Sequence, residues 1–326
     1  MHGLQDHLDA FDDLRAAGAG AYRWHATHEG GEHDLHVVVT CLVHGNEVGS
    51  LPGVNRVLAA LRSGERAFGG RLSVVIANPE AGLQDKRFLE ADLNRMFGKL
   101  DGDEHECRRA AEIAPILASA DVHLDLHQTI LHTEQPFTIF PWHSDCWRWA
   151  RVLHAATACV TRPAGQGFAL GGLVCADEYV RNLGKPGFTL ELGQKGFSDD
   201  AADRAELAVN NLLDAADRVG RGETTLASEA EHKPELVFWQ TDHREPFASR
   251  AHRLREGLLN FTPVVAGEVL SAPGTPTITA PMAGCVLFPK YPDYDAAGQA
   301  IGPLPSEIIR VITQVPGHPE ADWTSR

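Results

Sequence analysis

The sequence has no long apolar run and no cluster of basic residues. No apolar stretch among the 326 residues approaches the 18 or so that a helix needs to cross a bilayer, so we expect no membrane segment. Lysine and arginine number 29 against 44 aspartate and glutamate, which gives a formal net charge of −15. Because a surface of this sign repels phosphate, the composition argues against a nucleic-acid partner.

Cysteines are few, and none of them form a Cys-x-x-Cys pair. They are Cys41, Cys107, Cys146, Cys159, Cys175 and Cys285. The N-terminal segment MHGLQDHLDAFDDLR is amphipathic and acidic, and it lacks the basic and apolar regions of a secretory signal peptide. We therefore expect reduced thiols and a cytoplasmic protein rather than three disulfide bridges.

Helical and strand patterns alternate through the first two thirds of the chain. Apolar runs typical of buried strands cover residues 36–43, 71–79, 122–127, 137–141 and 187–193. Amphipathic patterns predict helices over residues 47–64, 106–120, 145–160 and 199–220. This alternation predicts an α/β fold in which helices flank a mixed or largely parallel sheet.

The alternation stops at GRGETTLASEAEHKPE, a polar connector. After it come short apolar runs such as LVFWQ and TPVVAGEVL, separated by proline and glycine, with no convincing long helix. We predict a first domain over residues 1–220, a linker over 221–234 and a small β-rich C-terminal domain over 235–326.

Three of the predicted strands carry side chains that can bind a metal ion or move a proton. The first runs into His44, and Glu47 follows where we expect the opening turn of the next helix. The third ends with His127, and the fifth contains Glu191. Two imidazoles and a carboxylate supply the N and O ligands that zinc takes at about 2.0–2.2 Å, with a fourth position left for water. Glu191, held back from the metal, could take a proton from that water.

Each of these residues also has a purely structural explanation. His44 can be a polar strand terminus, and Glu47 a favourable anion at a helix N-terminus. The ring of His127 can be bonded to a backbone carbonyl, and Glu191 can pair with a nearby lysine. Asp125 shares a strand face with His127, so it either orients that imidazole or is a polar residue at a strand end.

The segment GLQDKRFLEADLNRMF, residues 82–97, has mixed charge and no clear period. It contains Arg87, Asn94 and Arg95, and a guanidinium group can bind a carboxylate with two parallel hydrogen bonds. This composition is typical of a carboxylate-binding loop. The alternative is a solvated loop whose arginines pair with its own acidic residues.

The motifs HGNE, R-x6-NR, DLH and E-L-G, in this order and at these separations, resemble the succinylglutamate desuccinylase/aspartoacylase family. That family belongs to the zinc carboxypeptidase-like superfamily. The resemblance covers nearly the whole chain, because NFTPVVAGEVL and GCVLFPKYPDY look like the family's C-terminal β domain. It implies a zinc-carboxypeptidase-like catalytic domain over residues 1–220 and hydrolysis of the amide bond of an N-acyl amino acid.

The resemblance also assigns the metal and the base. It implies one Zn²⁺ per chain, held by His44, Glu47 and His127. Glu191 would be the general base, which takes a proton from a zinc-bound water and later protonates the leaving amine.

Four further residues receive substrate roles from the resemblance. Arg87 would polarise the scissile carbonyl and stabilise its oxyanion. Asn94 and Arg95 would hold a carboxylate on the amino-acid part of the substrate. Arg181, ten residues before the base, corresponds to a further substrate-binding arginine of the aspartoacylase branch.

The chain departs from the aspartoacylase pattern at its tyrosines. Asp177 stands where that branch carries a tyrosine, and Tyr179 is close but out of register. Tyr291 and Tyr294 are both candidates for a second substrate tyrosine from the C-terminal domain. These departures leave the acyl-group specificity open.

Several functions remain in competition at this point. A substrate with two or more carboxylates, such as N-succinylglutamate, is favoured over an N-acetyl amino acid of the aspartoacylase type. A metallocarboxypeptidase and a catalytically dead binding protein are less expected, the second because all three ligands and the base are present. His132 and Glu134 either line the pocket or form a polar turn. The expected partner is a small molecule, and a homo-oligomer is left open.

Overall fold

The structure is a computed structural model of the chain, and it describes residues 3–15, 22–133, 135–162, 166–169, 171–302 and 304–315. The helices are α1 (Leu4–Leu14), α2 (Leu51–Ser63), α3 (Pro79–Gly82), α4 (His105–Ser119), α5 (Ser144–Leu153), α6 (Ala176–Asn182), α7 (Asp199–Gly220) and α8 (Leu226–Glu231), with a 3-10 turn at Leu93–Arg95. The strands are β1 (His25–Glu29), β2 (His36–Cys41), β3 (Arg71–Ile76), β4 (Val122–Thr129), β5 (Phe137–Ile139), β6 (Ala158–Thr161), β7 (Gly187–Gln194), β8 (Val237–Pro246), β9 (Pro263–Val264), β10 (Gly284–Leu287) and β11 (Glu307–Gln314).

These strands form a single mixed sheet in the order β1-β3-β2-β4-β7-β5-β6-β8-β11-β10-β9. Its centre, β3-β2-β4-β7, is parallel. β1 and β5 flank this centre and run antiparallel to its outer strands, β3 and β7. β8 to β11 pair antiparallel with one another. The prediction of an α/β fold with a mixed sheet is therefore confirmed.

Helices cover both faces of the sheet. The chain crosses from β2 to β3 through α2 and returns past β2 to β4 through α4, so right-handed crossovers place α2 and α4 on opposite faces. On the α2 face, α2 packs closely against α7. A Cβ at Gly53 would lie 2.0 Å from the carbonyl oxygen of Ala202, so only glycine allows this approach. Among the helices that the structure describes, none is both long enough and apolar enough to cross a bilayer.

The predicted central strand forms where the sequence is most uniformly apolar. All six residues of β2, HVVVTC, are buried, as expected of a strand that lies between two parallel neighbours and under helices on both faces. Leu42 then turns the chain with a φ of 53°. The helix begins only at Leu51, next to Pro52, so Glu47 lies in the loop before α2 and not in its opening turn as predicted.

The prediction of a helix over residues 145–160 is wrong in its second half. α5 ends at Leu153, because His154 takes a left-handed conformation with a φ of 50°. Residues Ala158–Thr161 form β6, which pairs with β5 and β8. The segment HAATACV carries no proline or glycine to mark this break, and strand pairing decides its conformation.

Beyond α7, the connector and the tail are both tied to the rest of the molecule. The predicted linker contains α8, which packs against α5. β8 continues the sheet beside β6. A buried apolar cluster also spans the two parts, with Phe137 and Val160 on one side and Phe261, Leu287 and Ile312 on the other. The division into domains at 1–220, 221–234 and 235–326 stays a prediction.

Candidate active site

The carboxyl ends of β2 and β4 bring two histidines and a glutamate into contact. Glu47 Oε1 lies 2.8 Å from His44 Nδ1, and its Oε2 lies 2.8 Å from His127 Nδ1. The two Nδ1 atoms are 3.2 Å apart. All three side chains are buried. Sequence positions 44, 47 and 127 thus meet at one edge of the sheet, as the ends of parallel strands do.

This donor set fits a divalent metal ion. One ligand atom from each of the three residues can be chosen so that all lie within 4.8 Å of one another. Two nitrogen ligands at about 2.0–2.1 Å from a tetrahedral zinc are roughly 3.3 Å apart, close to the observed separation of the Nδ1 atoms. The donors also match zinc chemically, because imidazole and carboxylate are ligands of catalytic zinc sites. His44, Glu47 and His127 could therefore hold a metal ion.

Asp125 fixes the ring of His127. Its Oδ2 lies 2.8 Å from His127 Nε2, which leaves Nδ1 directed at the metal position. Its Oδ1 accepts a 2.5 Å hydrogen bond from the hydroxyl of Thr40, which also contacts His123 Nε2. Burial lowers the pKa of His127, but the carboxylates of Asp125 and Glu47 outweigh it and raise that pKa well above its usual value. A carboxylate behind a ligand imidazole is the usual means of setting its tautomer.

Glu47 is held by the backbone and by Gln128, a residue that the sequence did not single out. The backbone N–H of Gln128 donates to Glu47 Oε2 at 3.0 Å. Its side chain accepts from the N–H of Gly49 and donates to the carbonyls of Gln194 and Gly196. Gln128 therefore ties the HGNE loop to the ends of β4 and β7.

Glu191 of β7 stands in register with His127 on the neighbouring strand. It is 6% exposed, and its Oε2 is buried with no hydrogen-bond partner among the described residues. Burial, reinforced by the nearby negative charge of Glu47, raises the pKa of Glu191 to about 8, although His127 opposes the shift. A carboxyl group with such a pKa can both take and give a proton near neutral pH. The alternative explanation of Glu191 was an ion pair with a nearby lysine. No such pair is found among the described residues, and Lys185 lies near Asp121 instead.

Arg87 reaches the metal position because of a glycine. The N–H of Gly45 donates to the carbonyl of Arg87 at 3.0 Å, and a Cβ at Gly45 would lie 2.3 Å from the nitrogen of Gly82. Only glycine in HGNE lets the 82–97 loop pack this closely. The guanidinium group of Arg87 then lies 3.2 Å from Glu47 Oε1.

Asp92, which the sequence offered only as a solvated partner, contacts His44 as well as Arg87. Its Oδ1 lies 3.2 Å from His44 Nε2, and its Oδ2 lies 3.3 Å from Arg87 Nη2. Arg87 Nη2 is also 2.6 Å from His44 Nε2. That nitrogen donates to Asp92 when it carries the proton and accepts from Arg87 when it does not, so the tautomer of His44 decides which contact persists.

Asn94 and Arg95 both line the pocket. The Asn94 side-chain oxygen accepts from the N–H of Ala176 at 2.9 Å, which ties it to the start of α6. The Arg95 guanidinium contacts the Cys175 sulfur at 3.2 Å and lies 5.6 Å from the ring centre of Phe168. Of the two side chains, the guanidinium group of Arg95 is better suited than the amide group of Asn94 to bind a carboxylate.

The conformation of the 82–97 loop depends on Glu106, a buried carboxylate in the first turn of α4. The sequence did not predict a role for this residue. Glu106 accepts hydrogen bonds from the Asn78 side chain and from three successive backbone N–H groups, those of Leu89, Glu90 and Ala91. Burial raises the pKa of Glu106, but these hydrogen bonds more than offset it and lower the pKa below its usual value. A glutamate near the start of a predicted helix gave no sign of this role.

Arg181 lies outside the pocket lining that the structure describes. Its guanidinium pairs with Asp177 Oδ2 at 2.6 Å and donates to the carbonyl of Gly187. Asp177, not Arg181, faces the pocket. The i, i+4 pair on α6 holds the arginine behind the aspartate, which does not favour direct substrate contact by Arg181.

The candidate tyrosines also lie elsewhere. Tyr291 donates to the carbonyl of Arg255 at 2.8 Å, and Tyr294 donates to the carbonyl of His252 at 2.8 Å. Neither belongs to the pocket lining in the described part of the chain, and the same holds for His132. Glu134 is outside the described residues.

The C-terminal part of the chain instead supplies other side chains to the pocket. The C-terminal residues that line it are Phe288, Lys290, Glu307 and Arg310. Arg310 pairs with Glu307 at 2.6 Å and lies 4.3 Å from the ring centre of Phe168.

Comparison with known proteins places the chain in a family. Residues 34–216, more than half of the chain, match the model of the succinylglutamate desuccinylase/aspartoacylase catalytic domain. The chain belongs to this family. The match includes HGNE, the 82–97 loop, β4 and β7. It covers the residues predicted to bind metal or substrate or to act as base, apart from the candidate tyrosines Tyr291 and Tyr294.

Individual members of the family agree with this assignment. The chain is 26% identical over 279 residues to succinylglutamate desuccinylase of Pseudomonas paraeruginosa, which covers 79% of this chain and 81% of the relative. The crystal structure of succinylglutamate desuccinylase from Vibrio parahaemolyticus superimposes with a TM-score of 0.68, over 94% of this chain and 95% of that one, at 19% identity. A product-bound structure of the ectoine utilization protein EutE (DoeB) from Ruegeria pomeroyi gives a TM-score of 0.65 at 21% identity, over 90% and 88%. The two solved structures establish the shared fold.

Proposed function

We propose that this protein is a zinc-dependent amidohydrolase that cleaves the amide bond of an N-acyl amino acid, with one Zn²⁺ per chain. One observation carries the proposal: the buried group His44, Glu47 and His127 shares a single pocket with Glu191 and Arg87 in a member of this family.

The chain's own residues supply the proton transfers. A zinc ion at this position would lower the pKa of a water molecule and polarise a carbonyl oxygen. Glu191 takes the proton of the attacking water as the oxygen bonds to the amide carbon. It then gives that proton to the nitrogen, because an amide nitrogen leaves only after it is protonated. The raised pKa of Glu191 suits both steps, since a carboxyl group with a pKa near the working pH exchanges protons readily.

Arg87 stabilises the negative charge that develops on the carbonyl oxygen. Its guanidinium lies at the mouth of the ligand group and is about 30% exposed, so it is accessible to a substrate. Removal of one such donor typically lowers the rate by about 10²–10³. Arg95 would hold a substrate carboxylate.

The substrate class that we favour is an N-acyl amino acid with two or more carboxylates, of which N-succinylglutamate is the type case. Two cations in the wall of the pocket, Arg95 and Lys290, support this choice. The relative from Pseudomonas paraeruginosa is named for the same chemistry.

Three measurements test the proposal. Elemental analysis should find one zinc per chain. Release of free amine should be faster from N-succinylglutamate than from N-acetylaspartate or an N-acetylated diamino acid. Glu191→Gln should abolish turnover while zinc remains bound, whereas Glu256→Gln, at an exposed position, should leave turnover unchanged. Activity of Glu191→Gln near that of the wild type would rule out this base, and absence of zinc after metal loading would rule out the metal-dependent mechanism.

A further inference from the structure

Most of the charged side chains in the pocket have a partner of opposite sign. Arg87 is paired with Glu47 and Asp92, and Arg310 with Glu307. Asp177 is neutralised by Arg181 behind it. Two cations remain. Neither Arg95 nor Lys290 lies within 4.0 Å of a carboxylate oxygen among the described residues.

Lys290 is held in place by its backbone. It follows β10, and its N–H donates to the carbonyl of Ile308 in β11 at 2.9 Å. Its ammonium group lies 5.4 Å from the ring centre of Phe288 and lines the same pocket as the ligand group. The side chain therefore starts from a backbone position that is hydrogen-bonded to β11, which suits it to precise recognition.

The surroundings of this ammonium group are electropositive. Burial and the charges of Arg87, Arg310 and Arg95 lower the pKa of Lys290 to about 8, and only Glu307 opposes the shift. A desolvated cation among other cations costs free energy. An anion bound beside Lys290 would offset that cost, whereas a neutral ligand group would not.

We propose that Lys290 determines specificity by binding a substrate carboxylate other than the one held at Arg95. The inference rests on the proposed function for the identity of the ligand, but it concerns binding and not the chemical step. Lys290 comes from the C-terminal part and Arg95 from the 82–97 loop, so a substrate that engages both must span the boundary between the two parts.

A structural role for Lys290 predicts a different outcome from a recognition role. If the ammonium only supported the Glu307–Arg310 pair, its loss would weaken all ligands alike. If it binds one carboxylate, its loss weakens only ligands that carry that carboxylate.

Calorimetric binding to the zinc-loaded Glu191→Gln protein separates the two roles without turnover. The ligands are N-succinylglutamate and three probes that each lack one of its three carboxylates: N-acetylglutamate, N-succinylglutamine and N-succinyl-4-aminobutyrate. Lys290→Met should weaken the binding of N-succinylglutamate by about ten- to a hundredfold, as for the loss of one hydrogen bond to a charged group. It should weaken the binding of one of the three probes by less than threefold, and the carboxylate which that probe lacks is the one that Lys290 binds. Lys290→Arg should retain most of the affinity, and Lys99→Met, at an exposed lysine, should change nothing.

Three results would overturn the inference: no binding of N-succinylglutamate to the Glu191→Gln protein, equal binding by Lys290→Met, or an equal loss for all four ligands. If wild-type protein fails to hydrolyse N-succinylglutamate but the selective loss of binding is seen, the proposed reaction is wrong and the role of Lys290 stands.

Discussion

At the scale of single residues, the metal site depends on side chains that would not touch a metal. Asp125 sets the ring of His127, and Asp92 competes with Arg87 for the outer nitrogen of His44. Asp125 leaves Nδ1 of His127 facing the candidate metal position, and a proton on Nε2 of His44 would favour its contact with Asp92. Ligand identity alone would leave the tautomers undetermined, so these carboxylates belong to the proposed site together with the ligands.

Asp125→Asn should weaken zinc binding by about ten- to a hundredfold, because an amide orients the His127 ring less firmly than a carboxylate. Competition with a chromophoric chelator measures the affinity. Asp34→Asn, at an exposed position, is the control. Unchanged affinity in Asp125→Asn would show that the contact does not affect the metal.

At the scale of elements, the 82–97 loop owes its conformation to α4. This loop has little regular structure, yet it delivers Arg87, Asn94 and Arg95 to the pocket. Within the part of the chain that the structure describes, the loop backbone has no strand or helix partners here. Glu106 takes their place by accepting hydrogen bonds from three consecutive N–H groups of the loop. A segment without periodicity can thus be well defined when a buried carboxylate satisfies its donors.

The edge strand β1 makes stability depend on pH. His25 lies on β1 with its Nε2 buried and without a hydrogen-bond partner among the described residues. Burial, with smaller contributions from His36 and Arg15, lowers the pKa of His25 from 6.5 to about 4. The pKa of His36 on β2 is also lowered, and burial is the largest cause.

The sign of the effect follows from proton binding. Above pH 6.5 both the folded and the unfolded states hold neutral His25. Between pH 6.5 and 4, His25 binds a proton in the unfolded state but stays neutral in the folded state. The free energy of unfolding therefore falls as the pH falls. His25→Gln should therefore lose less stability between pH 7.5 and 5 than the wild type, by about 2 kcal/mol.

Urea denaturation at the two pH values measures this difference. His232→Gln, at an exposed histidine after α8, should behave like the wild type. Equal pH dependence in His25→Gln and the wild type would assign the acid sensitivity to other groups.

At the scale of the whole molecule, one sheet joins the two parts of the chain. β8 extends the sheet beside β6, and the C-terminal part completes the pocket with Phe288, Lys290, Glu307 and Arg310. The proposed metal ligands and the proposed base come from the first part. The proposed chemistry and the proposed selectivity therefore belong to different stretches of the chain that meet across one pocket.

A metal bound to the folded state should stabilise the whole molecule. Removal of zinc with a chelator should lower the Tm, since a ligand present at about 1,000 times its Kd contributes roughly 4 kcal/mol to the free energy of unfolding. Calorimetry before and after chelation measures the change, and added zinc should reverse it. His44→Ala, which lacks a ligand, should show little response to the chelator. If the Tm of the wild-type protein does not change when the chelator is added, this result would count against a bound metal.

The sequence by itself determined the order of most helices and strands and the residues of the ligand group. Apolar alternation, helical periodicity and motif spacing are local properties of the sequence itself, and they can be recognised without knowledge of the fold. The same locality explains the errors. β6 is a strand because β5 and β8 lie beside it, and Glu47 precedes α2 because the helix starts next to Pro52.

Only the tertiary structure decided which other side chains join the site. Glu106, Gln128 and Lys290 belong to no motif, and the contacts that place each of them at the site are made with residues elsewhere in the chain. Arg181 shows the converse, because its spacing matched the family while the contact with Asp177 holds it behind the pocket wall. Spacing specifies residue types, but the burial and hydrogen bonding that direct a side chain depend on neighbours that only folding supplies.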